Sequence, residues 1–281
     1  MTHRLMNNAP VASFFVCLAL LSSGATTHAQ ASPDDSSEAP DLRRIHAQAV
    51  YSMVQIQTST TVGTGWLLAQ TRRPVVITNK HVADTVDRRG AIVLFYRGSD
   101  QPPASVRGVV TYRSQSLDLA ILRLEADPPN TARPLAMQAS TNVVRGERVV
   151  LAGNPGVPGG NGRTILPFQT TEGVATGHIA GPEFTACGAG RNCVVVDAAS
   201  LGGNSGGPVF NIQGQLVGML WGGPVLLGAD QTQVTALTGQ GAVVQSVQHR
   251  VLAVENPAFA YLIHTRAIAD ELRALEVRRR R

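Results

Sequence analysis

Short runs rich in Val, Ile, Thr and aromatic residues recur along almost the whole chain, each cut off by Gly, Pro, Asn or Asp. They read SMVQIQTS, GTGWLLAQ, PVVITN, AIVLFY, GVVTYR, LAILRL, RVVLAG, NCVVVDA, PVFNIQ, QLVGMLWG and GAVVQSV. Runs of that length and composition are strands, and so many of them argue for a β-sandwich or β-barrels rather than alternating βαβ units. A Pro-bearing stretch, EADPPNTARP (Glu125–Pro134), divides the strands into two groups and reads as a linker between two β units. Two helices are expected, near Asp41 to Ala49 and over Thr265 to Leu275, where Ile268, Leu272 and Leu275 follow a helical stripe.

Composition agrees with that reading. The chain has 281 residues, 43% of them hydrophobic, which fits one large domain or two small barrels sharing an interface. With 28 Gly and 16 Pro it is too loop-rich for a coiled coil, and nothing in it has the collagen period. No stretch of 18 apolar residues occurs, so no stable membrane span is expected in the mature chain. The net charge of +5 would suggest a nucleic-acid partner, but Arg4 and the basic tail Arg278 to Arg281 account for all of it. A terminal Arg run reads as a solvated tail, so no nucleic acid is expected.

Residues 1–31 read as a secretory signal peptide: Arg4, then the apolar run Val11 to Leu21, then Ala29-Gln30-Ala31 as a cleavage pattern. Cleavage after Ala29 is an alternative, and an uncleaved anchor would need a longer run. Residues 32–45 then form an exposed N-terminal segment, and the chain is expected to be exported, to a periplasm or beyond. Cys187 and Cys193 remain in ACGAGRNC. In an oxidising compartment two cysteines with glycines between them can close a small loop, so a disulfide is expected, two free thiols being the alternative. Two Cys with no His beside them make a poor metal site. GNPGVPGGNGR (Gly153 to Arg163) looks superficially like a phosphate loop but lacks the strand-to-helix context and the Lys-Ser/Thr ending, and reads as a surface loop.

Three residues carry candidate chemistry. Ser205 lies in Leu-Gly-Gly-Asn-Ser-Gly-Gly-Pro. A serine hydroxyl needs a base on its proton and N–H donors for the oxyanion, and surrounding glycines let the backbone turn those donors into one hole. His81 ends the apolar run of Ile77-Thr78-Asn79-Lys80-His81, where an imidazole stands at a barrel rim. Asp118 opens the apolar run Leu119-Ala120-Ile121-Leu122, and a carboxylate there needs a partner. Each alone could be structural. Together, in the order His, Asp, Ser, with two in the first strand group and one in the second, they match a hydrolytic triad across a cleft.

These motifs resemble those of bacterial trypsin-like serine peptidases of the chymotrypsin fold, in particular the exported HtrA-type proteases and the staphylococcal-type glutamyl endopeptidases. The resembling segments are Gly63 to Leu68, Thr78 to Val82, Asp118 to Leu122, Arg148 to Pro155, Asp197 to Ala199, Gly203 to Pro208 and Leu216 to Gly223. The resemblance implies two antiparallel six-stranded β-barrels, about 46–127 and 135–262, and a C-terminal helix at about 265–276, within a peptidase domain of 46–277. It implies Ser205 as nucleophile, His81 as general base, Asp118 as its orienting carboxylate, and the N–H groups of Gly203 and Ser205 as the oxyanion hole. Polypeptide substrates and no cofactor follow.

Departures from the family pattern matter too. Asn204 stands where digestive enzymes carry the Asp that pairs with a new N-terminus, so that activation is not expected. Ala199, six residues before the serine, cannot attract Lys or Arg, and Leu220 stands where the glutamyl enzymes have a His. With Met219, Trp221 and Gly222 completing the substrate-binding set, a small or medium apolar P1 residue is expected. The residues after Gly223 are too few for the peptide-binding domain of the HtrA type.

Two rivals remain. Gly203 to Gly207 also matches G-x-S-x-G, the nucleophile elbow of α/β-hydrolase esterases, with Asp230 and His249 as downstream partners. Gly206-Gly207-Pro208 is a poor helix start, however, and the βαβ pattern is missing. The other rival is a protease fold that binds without turnover. A metal enzyme is disfavoured, since none of the five His outside the leader shows ligand spacing.

Overall fold

The structure, a computed structural model, describes residues 42–69, 73–138, 143–159, 162–179, 186–188, 193–222, 225–229, 233–237, 252–255 and 259–280. The expected leader, the run GAVVQSV, Asp230 and His249 lie outside the described residues.

Helix α1 (Leu42–Ser52) buries Ile45, Ala49, Val50 and Ser52, one stripe at helical spacing, and runs straight into β1 (Met53–Gln57). β2 (Val62–Leu68), β3 (Val75–Thr78), the single turn α2 (Lys80–Ala83), β4 (Ala91–Phe95), β5 (Ala104–Arg113) and β6 (Ala120–Leu124) follow. These strands close an antiparallel barrel in the order β1-β2-β3-β6-β5-β4. Period-2 alternation decides which side chains fill it: Val54, Ile56, Leu67, Val76, Val93, Phe95 and Leu122 pack together, while Met53, Trp66, Ile77 and Ile121 join a different cluster.

The second unit contains β7 (Arg148–Gly153), β10 (Gln169–Ile179), β11 (Cys193–Asp197), β12 (Pro208–Asn211), β13 (Leu216–Gly222) and β17 (Ala260–His264). They close a second barrel in the order β10-β11-β17-β13-β12-β7. Val149, Leu151, Val194, Val196, Val209, Val217, Leu220 and Leu262 fill it. The 153–163 segment, expected as a plain surface loop, instead forms the two-stranded hairpin β8 (Gly156–Gly159) and β9 (Gly162–Ile165). β14 (Val225–Ala229), β15 (Gln233–Leu237) and β16 (Leu252–Glu255) form a small separate sheet. Helix α3 (Thr265–Arg280) starts directly after β17 and continues past Leu275.

A third apolar cluster joins the outward faces of both barrels to the two long helices. It contains Ile45, Trp66, Ile77, Leu119, Phe168, Phe210, Met219, Trp221, Ile263 and Ile268. Fully burying a side chain of this size is worth about 1.5–3 kcal/mol. This shared core fixes one barrel against the other, so residues on facing rims can be held in register.

Candidate active site

His81 sits on α2, the single turn that follows β3. Asp118 lies in the turn between β5 and β6 and is 4% exposed. Its Oδ2 meets His81 Nδ1 at 2.6 Å, and its Oδ1 accepts the His81 backbone N–H at 2.9 Å. Both carboxylate oxygens therefore face one residue, which orients the ring and leaves Nε2 for other work. The Asp118 backbone is fixed as well: its carbonyl accepts from Asn79 Nδ2 at 2.9 Å, and its N–H donates to the Ala186 carbonyl at 2.9 Å. Ala186 precedes Cys187, which forms a disulfide with Cys193. The second barrel thus helps to hold a side chain of the first.

Ser205 lies in the turn before β12. Gly203 and Gly206 on either side have φ of +102° and +88°, which disfavours side chains. Space forbids them too: a Cβ on Gly203 would come within 2.3 Å of the Asn154 carbonyl, and one on Gly206 within 2.1 Å of the Thr64 carbonyl. The turn is pinned across the barrel interface. Thr64 N–H donates to the Ser205 carbonyl at 2.9 Å, and Thr64 Oγ1 donates to the Gly203 carbonyl at 2.6 Å. The same Oγ1 accepts from the backbone N–H and side-chain amide of Asn154 at 3.0 and 2.9 Å, and Thr78 Oγ1 donates to the Thr64 carbonyl at 2.6 Å. Among the described residues, nothing accepts from the N–H of Gly203 or of Ser205.

His81, Gly203 and Ser205 line one open cavity of about 660 Å³, with Thr58, Thr61, Val82 and Ile165 among its other walls. No hydrogen bond joins Ser205 Oγ to His81, a common feature of such sites before substrate arrives. The residues expected to bind substrate divide. Ala199 is exposed and Gly222 half-buried, whereas Met219, Leu220 and Trp221 are at most 1% exposed. Leu220 packs inside the second barrel and Met219 in the shared cluster, because adjacent strand residues point to opposite faces. Thr64, Asn154 and Ala186 were not singled out from sequence as site residues. The flanking glycines of Gly63-Thr64-Gly65 were the available signal for Thr64, and nothing local marks Ala186.

Two closed six-stranded antiparallel barrels, with a His–Asp pair on one and a glycine-framed serine on the other, define the chymotrypsin-type class of folds. Residues 63–219, more than half of the chain, match the trypsin-like peptidase domain, and the chain belongs to that family. It is 32% identical over 149 residues to protease Do-like 1, chloroplastic, of Arabidopsis thaliana, covering 51% of this chain and 29% of that protein. It is 24% identical over 188 residues to glutamyl endopeptidase of Staphylococcus aureus, covering 63% and 52%. The chain thus spans between about a third and a half of the length of these curated relatives. Among solved structures, it is similar to the serine endoprotease of Yersinia pestis (TM-score 0.54, 19% identity, covering 83% of this chain and 65% of that one). A protease from M. tuberculosis in its active form is also similar (TM-score 0.52, 22% identity, covering 90% and 93%). At these identities the structures bear on the fold. The fold leaves no place for an α/β-hydrolase elbow, since β12 rather than a helix follows Ser205.

Proposed function

We propose that this protein is an exported serine endopeptidase that cleaves peptide bonds through an acyl-enzyme on Ser205. The observation that carries the reading is the shared cavity: Ser205 and the Gly203 turn from one barrel face the Asp118-oriented imidazole of the other. Ser205 Oγ attacks the scissile carbonyl carbon while His81 Nε2 takes its proton. The oxyanion formed accepts from the N–H groups of Gly203 and Ser205, which have no other acceptor among the described residues. Collapse breaks the C–N bond, the imidazolium gives its proton to the leaving amine, and water repeats the sequence to free Ser205.

Substrate binding follows from the burial pattern. With Met219, Leu220 and Trp221 packed away, the backbone of β13 rather than its side chains would meet the substrate. At Gly222 a Cβ would find nothing within 4 Å, so a peptide has room to lie alongside. Exposed Ala199 supports a small or medium apolar P1 residue. Export is supported by the leader-like N-terminus and by the disulfide, a bond that persists in oxidising compartments.

The test is digestion of a mixed peptide library by the purified protein, with the products identified by mass spectrometry. Internal cleavages concentrated after Ala, Val or Leu, and absent with Ser205→Ala, are expected. Products unchanged by Ser205→Ala would overturn the assignment.

A further inference from the structure

Helix α3 carries a carboxylate that reaches back to the first barrel. Glu271 Oε1 accepts from Tyr112 Oη and, at 2.6 Å, from Ser114 Oγ; its Oε2 accepts from Ser116 Oγ at 2.8 Å. Three hydroxyls within five residues thus converge on one side chain from a distant helix. All three lie on the segment that ends at Asp118.

The Ser114 hydroxyl explains why that matters. Ser114 is 1% exposed, and its Oγ accepts the backbone N–H groups of Ser116 at 3.1 Å and Leu117 at 3.0 Å. With its acceptor capacity used, the hydroxyl must donate its own proton, and Glu271 Oε1 at 2.6 Å is a nearer acceptor than Ser116 Oγ at 3.3 Å. The Ser114 N–H donates to the Leu119 carbonyl at 2.9 Å, closing the turn around Asp118. Next to it, Arg113 bonds Asp84 Oδ1 at 2.9 Å and the Ala83 carbonyl at 3.0 Å, tying the same strand end to the turn that carries His81. Hydrogen bonds to an ionised carboxylate are roughly twice as strong as neutral ones. Glu271 therefore sets the shape of the turn whose tip presents Asp118 to His81.

We propose that Glu271 is a positioning residue for catalysis: through Ser114 and Ser116 it fixes Asp118 in the geometry that orients His81. This rests on the triad reading above. Misplacing a catalytic group by about 1 Å can cost about a hundredfold in rate. Glu271→Ala leaves the Ser114 hydroxyl only Ser116 Oγ, 3.3 Å away, as an acceptor and lets the turn relax. A roughly ten- to hundredfold fall in kcat is then expected, with KM little changed. Glu271→Gln keeps a carbonyl oxygen for Ser114 and should restore most of the activity. Ser116→Ala, which removes the Oε2 contact and a 3.3 Å contact with Ser114 Oγ, should lower kcat by less.

The experiment measures kcat, KM and Tm of the full chain for these variants, beside Leu272→Ala and Asp118→Asn. Leu272 packs the same helix against the shared core and, being aliphatic, hydrogen-bonds none of the hydroxyls in question, so it reports general loosening. A kcat loss at unchanged KM in Glu271→Ala, absent from Leu272→Ala and reversed by Gln, supports the proposal. A wild-type kcat with only a lowered Tm overturns it, as does an equal kcat loss in Leu272→Ala. Should Glu271→Ala not fold, Ser116→Ala carries the reading, and a wild-type kcat in Ser116→Ala overturns it. If Asp118→Asn keeps full activity the triad itself fails; if it collapses while Glu271→Ala is inert, only the positioning role fails.

Discussion

Replacing Thr64 by valine would remove one hydroxyl and keep the shape of the side chain. That hydroxyl donates to the Gly203 carbonyl at 2.6 Å and accepts from both nitrogens of Asn154, a residue with no exposure. In Thr64→Val the Asn154 amide still reaches the Val54 carbonyl at 3.3 Å, but the Asn154 N–H and the Gly203 carbonyl lose their partners. A stranded buried group costs about 1–3 kcal/mol, and the Gly203 carbonyl is only part-buried, so a stability loss on the order of 1–4 kcal/mol is expected. The kinetic effect comes through Gly203, which has a φ of +102°, lines the cavity and has an N–H with no acceptor among the described residues. Without that anchor on the Gly203 carbonyl the turn that carries the Gly203 N–H can shift, and in the proposed mechanism a lost oxyanion donor costs about 10²–10³ in kcat. Denaturant unfolding gives the stability, and turnover of a chromogenic peptide below the unfolding transition gives kcat. Thr64→Ser is the control, since it keeps the hydroxyl and gives up one methyl, about 1 kcal/mol. The reasoning fails if folded Thr64→Val retains the wild-type kcat, or if Thr64→Ser loses as much activity as Thr64→Val.

Two other outcomes follow from the packing around the site. Replacing Cys187 and Cys193 together by Ala opens the loop whose Ala186 carbonyl holds the Asp118 N–H. For so short a loop the lost chain constraint is about 2 kcal/mol, read as a lower Tm, and kcat should fall with it; an unchanged kcat would show that Ala186 does not steady Asp118. His264, on the last strand, is held below its ordinary value of 6.5, first by burial and then by His178 and Arg266. The unfolded chain therefore takes up the proton first as pH falls. Its contribution is complete above 6.5 and is lost progressively below, towards the folded-state value. Tm should fall on acidification through that window and fall less in His264→Gln, which keeps an acceptor for the Val143 N–H; equal slopes would contradict this.

The barrels were legible because most strands announce themselves. β3 is VVIT and β6 is AILRL, each ended by a turn residue, and the alternation that sends Leu67 and Trp66 to different cores follows from strand period alone. β10 was not legible: QTTEGVATGHI mixes Gly, Thr and Glu, and only its partners β7 and β11 make it a strand. The hairpin at 156–165 is hidden in the same way by glycines that read as a loop. At the site, His81, Asp118 and Ser205 stand in local patterns that a sequence can display. Met219 and Leu220 were chosen by position in a motif, yet burial decides what a side chain can touch, and both face packed interiors. The anchors Thr64, Asn154, Ala186 and Glu271 act over long separations, 139 residues from Thr64 to Gly203 and 157 from Ser114 to Glu271. No local pattern encodes a partner that only the tertiary fold brings near.

The central claim, that the Asp118-oriented His81 activates Ser205, is tested most directly by a fluorophosphonate probe, which forms a covalent bond only with an activated serine. The purified native protein, Ser205→Ala and His81→Ala would each be treated and the adduct mapped by mass spectrometry. A single adduct on Ser205 of the native protein, abolished in Ser205→Ala and lost in His81→Ala, is the expected result. A folded native protein that stays unlabelled, or a Ser205 adduct that forms as fast in His81→Ala, would contradict it.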